Sequence, residues 1–126
     1  MKAGIAVAAA LVGMLGSGAA MAENGTRLLE QCQDGIRALD NENMTSDGLF
    51  ASGFCFGLIE GVRFTMENYQ FTNIPNEYKA CFPKGHISNA QGARIVVKYL
   101  KDNPETLHED AAILTTLALH NAFPCK

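Results

Sequence analysis

Four cysteines, Cys32, Cys55, Cys81 and Cys125, constrain this 126-residue chain more than any other feature. Their setting decides what they do. Lys2 is the only charged residue before Glu23, and the stretch between them is apolar and rich in small side chains. It closes on Ala20-Met21-Ala22, an A-x-A pattern expected of a secretory signal peptide cut after Ala22. The stretch nears spanning length, but its four glycines and one serine weaken it as a membrane anchor. The expected domains are therefore a signal peptide over 1–22 and one small mature domain over 23–126. All four cysteines fall in that domain. An even count in a small exported chain reads as two disulfides. A zinc site is disfavoured, because there is no C-x-x-C and no histidine at ligand spacing from a cysteine.

Hydrophobic periodicity is helical almost throughout. Leu29, Cys32, Ile36 and Leu39 form a stripe behind Thr26, an expected N-cap. "DNENMTSDG" interrupts it, and Thr45 or Ser46 caps a second helix reaching about Asn68. Ser88 opens a third helix with Gln91 three residues on, and its stripe is Ala93, Val96, Val97 and Leu100. Pro104 behind Asn103 is expected to start a fourth, carrying Leu107, Ala111, Leu114, Leu117 and Ala118. No segment alternates with period two. The expected fold is all-α: a small disulfide-stapled bundle of about four main helices. In two antiparallel hairpins, Cys32, seven residues before Leu39, meets Cys55, eight after Asp47. Cys81 precedes the third helix and Cys125 follows the fourth. The favoured connectivity is thus Cys32–Cys55 with Cys81–Cys125. On the chain-entropy account each link stabilises the fold by about 3–4 kcal/mol.

Other residues carry two readings each. Gly53, Gly57 and Gly61 recur every fourth residue, and each glycine in a helix costs about 1 kcal/mol against alanine. Close approach of another helix offsets that cost. Packing within the bundle is the favoured reading and a dimer seam the other. Glu60 and Arg63, three apart, read as a partly exposed ion pair rather than a catalytic acid with a steering arginine. His86, His108 and His120 have no zinc spacing; His108 is expected to fix the turn before the fourth helix and His86 to be a surface contact. No nucleophile motif, phosphate loop or metal motif is present, so no catalytic residue, metal or cofactor is expected. No basic patch with interleaved aromatics suggests nucleic acid. With Lys2 removed, nine basic residues face 13 acidic ones, a net charge of −4 that suits solubility and a basic partner. The segment Tyr69–His86 is long for a connector, and such loops are often functional. Tyr69, Phe71, Tyr78, Lys79, Phe82, Lys84 and His86 are its candidate partner contacts, pinned at Cys81.

From Cys55 to Cys125 the chain resembles the Tai/Rap family of immunity proteins linked to type VI secretion. The resemblance lies in "FCFGLIEGV" (Phe54–Val62), in "CFP" at Cys81, in the apolar run ending Tyr99-Leu100, and in the closing "AFPC". In the turn "NPETLH", Asn103 stands where the family usually has a histidine. The resemblance implies a periplasmic, helical, disulfide-bonded and commonly dimeric protein. Such a protein is not an enzyme. Its partner is a papain-like peptidoglycan amidase delivered by a neighbouring cell, whose cleft a protruding loop blocks. It needs no membrane once exported. A small periplasmic helical chaperone, or a structural binding module without an amidase partner, is the alternative. A chaperone's acid trigger is not obvious with three histidines. The Asp102–Glu105 turn is the alternative contact to the Tyr69–His86 segment.

Overall fold

The computed structural model describes residues 23–40, 42–68 and 75–126. The expected signal peptide lies outside the described residues, as do Tyr69 and Phe71. Among the described residues four α-helices follow one another: α1 (Gly25–Leu39), α2 (Ser46–Glu67), α3 (Asn89–Asp102) and α4 (Ala111–Ala122). Single 3₁₀ turns lie at Asn76–Tyr78 and Pro104–Thr106. The fold is all-α, as the periodicity indicates.

The helix starts show where local signals ruled and where tertiary contacts did. Thr45 caps α2, its hydroxyl accepting from the Gly48 N–H at 3.1 Å. Ser88 caps α3 in the same way, accepting from Gln91 N–H at 3.1 Å. Each supplies an acceptor for a backbone donor that has no partner inside the helix. The α1 cap, however, is Asn24 rather than Thr26, with Asn24 Oδ1 accepting from Arg27 N–H at 3.1 Å. The Thr26 N–H donates instead to the Leu107 carbonyl, the Gly25 N–H to Glu109 and the Ala111 N–H to Glu23. This lacing also corrects the start of α4. Pro104 opens only a 3₁₀ turn, and α4 begins at Ala111 under an Asp110 cap whose Oδ1 accepts from Ala112 and Ile113. The carbonyls of Leu107 and Glu109 are turned toward α1 and are not spent on a continuous helix.

The core joins all four helices. Leu28 and Cys32 of α1, Cys55 and Ile59 of α2, Ala93, Val96, Val97 and Leu100 of α3, and Ala111, Leu114 and Ala118 of α4 form one buried cluster. Leu117 lies outside it, exposed. Two glycines permit the closest approaches between helices. A Cβ on Gly25 would stand 2.5 Å from Leu114 Cδ1, and one on Gly92 would stand 2.7 Å from Ile59 Cγ2. Cys32 and Cys55 are joined across the α1–α2 hairpin, Cα–Cα 5.1 Å, and Cys81 and Cys125 across the other, 5.0 Å. Both pairings follow the hairpin argument.

Among the described residues, Gly53, Gly57 and Gly61 do not pack within the bundle. A Cβ on any of them would meet nothing within 4 Å among the described residues. At 3.6 residues per turn their stripe lies roughly 180° around α2 from Cys55 and Ile59. Spacing alone gives a face, not its direction, and the cysteine decides which face turns inward. The same outer face carries Phe50 and Phe64, 79% and 63% exposed. Over its most apolar 18 residues α2 has a mean hydropathy of 1.3, with 22% of them buried. By length and composition it is apolar enough to cross a membrane. Here Cys55, Ile59 and Met66 tie it into the protein.

Candidate partner-binding site

A second, smaller core seats the segment 75–87 on the end of the bundle. Met66 of α2, Ala80, Ile87 and Leu119 of α4 are buried together, with Val62, Phe82 and Phe123 against them. Backbone pairing fixes the segment's edge. Ala80 bridges Pro124, and the Cys81 N–H donates to the Phe123 carbonyl at 2.7 Å. His120 Nδ1–H donates to the Lys79 carbonyl at 2.6 Å, which sets the imidazole tautomer. The rings of Phe82 and Phe123 lie 5.4 Å apart, a tilted pair. The Cys81–Cys125 link closes the arrangement.

Beyond Cys81 the chain reverses through a left-handed turn, Gly85 at φ 95° and His86 at φ 64°. A non-glycine residue at positive φ is uncommon. His86 is held there from two sides: its N–H donates to the Pro83 carbonyl at 3.1 Å, and Nδ1–H to Glu67 Oε1 at 2.8 Å. Glu67 also accepts from Arg63 at 2.8 Å, and Arg63 donates to Glu60 at 2.6 Å. The expected Glu60–Arg63 pair is therefore one arm of a larger network. The guanidinium is its most buried member, 14% exposed. Hydrogen bonds to Glu60 and then Glu67 raise the Arg63 pKa. Burial pushes the Glu67 carboxyl up, but the hydrogen bonds from His86 and Arg63 outweigh it, and the net displacement is downward.

The candidate contacts are thus unequal. Tyr78 stands on the 3₁₀ turn, 55% exposed. Lys84 and His86 are exposed and Lys79 half-buried, while Phe82 is turned partly onto Phe123. A cleft of about 730 Å³ runs between this segment and the end of α2, walled by the Cys81–Cys125 link and lined by Lys79, Lys84, His86, Lys126 and Glu67. Glu67 and Lys126 were not singled out from the sequence. The spacing Arg63–Glu67 was a usable signal for the first; nothing local marks the second. His108 does not fix its turn. It is 78% exposed, 3.4 Å from Glu109, while Asn103 Nδ2–H donates to the Tyr99 carbonyl and Thr106 Oγ1–H to the Asn103 carbonyl. A second cleft, about 570 Å³, lies between α1 and the start of α2, beside Arg27, Glu30, Asp34 and Arg37. Arg37 pairs with Asp34 and Arg27 with Glu23 there. Among the described residues no three His, Cys, Asp or Glu side chains gather as a metal site.

Fold and site together define a class: a small helical domain, stapled twice, that presents a pinned edge segment beside an open cleft. The profile of the Rap1a immunity proteins matches residues 24–125, which takes in every described helix. The chain belongs to the Rap1a immunity protein family. No curated protein and no solved structure matches it.

Proposed function

We propose that this is a periplasmic immunity protein that binds and inhibits a peptidoglycan amidase delivered by type VI secretion, and that it is not itself an enzyme. Membership of an immunity family carries the reading. The expected leader over 1–22 and the two disulfides support export to an oxidising compartment. The amidase rests on the resemblance in the Cys55–Cys125 motifs. The segment Tyr69–His86 is the proposed inhibitory element, with Tyr78 as exposed anchor and Lys79 beside it. Anchoring at Cys81 lowers the entropy lost when such a segment is captured. The protein is proposed to act as a homodimer, and the uncovered α2 face of Phe50, Gly53, Gly57, Gly61 and Phe64 supports a seam there.

The test is inhibition of the amidase encoded beside this gene by the oxidised protein. Tyr78→Ala should weaken inhibition by about 30-fold, the equivalent of an anchor worth ~2 kcal/mol, with helical content unchanged. Exchange of Tyr69–Pro83 for an unrelated loop should abolish it. Should that exchange leave inhibition intact while changes at Asp102–Glu105 remove it, the inhibitory element is the acidic turn. Failure to protect against any neighbouring amidase would end the immunity-against-amidase reading.

A further inference from the structure

The chain carries a formal net charge of −3, which by itself points to a basic partner. The distribution of ion pairs points elsewhere. Arg27, Arg37, Arg63, Arg94 and Lys98 each have a carboxylate partner: Glu23, Asp34, Glu60 with Glu67, Asp40 and Asp102. Among the described residues, Lys79, Lys84, Lys101 and Lys126 have none. Three of these four, all but Lys101, line the single cleft beside Cys81–Cys125. The one side-chain carboxylate lining it, Glu67, is already engaged by Arg63 and His86, so it does not neutralise the lysines; the α-carboxylate of Lys126 offsets one of their three charges. Asn76 adds a neutral amide to the wall.

We propose that this cleft receives an acidic segment of the bound effector, its Asp and Glu carboxylates taken by Lys79, Lys84 and Lys126. The inference rests on the immunity reading and gives that partner a chemistry. The site is organised before binding. The Lys79 N–H donates to the Asn76 carbonyl and its own carbonyl accepts from His120, so its backbone is held on both sides. Lys84 lies on the reversing turn that His86 ties to Glu67. Lys126 follows the cysteine bonded to Cys81. Three ammonium groups around one concavity outnumber the α-carboxylate of Lys126 there, and on a body of opposite net charge that local excess concentrates the favourable field at the cleft. An acidic segment is then oriented as it approaches and is repelled by other faces.

The oxidised, exported protein, ¹⁵N-labelled, is titrated with a hexaglutamate peptide at low and at physiological ionic strength. Shift changes should be confined to the amides of Lys79, Lys84–His86 and Cys125–Lys126, and should shrink with salt. Replacing Lys79, Lys84 and Lys126 together by Gln should weaken capture about tenfold or more, while Lys101→Gln should not. Equal loss with Lys101→Gln, shifts spread over the whole surface, or tighter capture of an oligothymidylate at the same amides would overturn the inference. With the amidase itself, the triple variant should associate about tenfold more slowly and with a flatter salt dependence. Inhibition with unchanged association rate and salt dependence would overturn the cleft and leave the immunity reading standing. Peptide capture without protection against any amidase would do the reverse.

Discussion

Glu67 joins α2 to the turn at His86, and its ionisation should register in stability. Its carboxyl is held below the ordinary carboxylate value in the folded chain, so the folded state binds that proton less readily than the unfolded one. Its contribution is complete above the ordinary value and is lost as pH falls through the lowered folded value. Urea midpoints measured across the acid range should therefore fall less steeply for Glu67→Gln than for the unaltered protein; identical slopes would remove Glu67 as a contributor. The glycines offer a sharper contrast. Gly25→Ala forces a Cβ against Leu114 and the Leu107 backbone, and should cost about 1–3 kcal/mol through overpacking. Gly57→Ala meets open space and should stabilise the monomer by up to about 1 kcal/mol through helix propensity. Chemical denaturation of the two variants should shift in opposite directions.

The two staples belong to different environments. Cys32 and Cys55 are both fully buried between α1 and α2, whereas Cys81 is exposed on the cleft wall. A reductant must reach sulfur, so mild reduction followed by alkylation and mass mapping should label Cys81 and Cys125 well before Cys32 and Cys55. Simultaneous labelling of all four would show that reduction requires global unfolding. Cys125→Ser should lower stability by about 2–5 kcal/mol. Hydrogen exchange should then quicken first at Lys79–Phe82, where the Cys81 N–H to Phe123 bond loses its covalent neighbour. The α4 start shows the limits of local signals. Pro after Asn resembles a helix start, but the carbonyls of Leu107 and Glu109 found donors on α1, and the helix waited until Asp110 could cap it.

At the scale of the molecule, α2 is apolar on both faces while only one is covered by the described residues. If the uncovered face is the proposed seam, light scattering at micromolar concentration should give a dimer mass, and Gly57→Leu should give a monomer that still melts cooperatively. A monomer mass for the unaltered protein would remove the dimer and leave inhibition untouched. The helical class, the cap at Ser88, the α3 stripe and both cysteine pairings are legible in the sequence, which narrows the α2 cap to Thr45 or Ser46. Those follow from short-range rules: a 3.6-residue period, a side-chain acceptor before a helix, and the geometry of hairpins. Tertiary structure alone decided the rest. Which side of α2 faces inward depends on where Cys32 stands. The start of α1 depends on Leu107 and Glu109, more than 80 positions away. Lys79, Lys84 and Lys126 become one basic wall only because a disulfide and a β-bridge bring residue 126 beside residue 79. Charge in a sequence is a sum, but a partner meets a field, and that field depends on which charges the fold has paired and which it has left open.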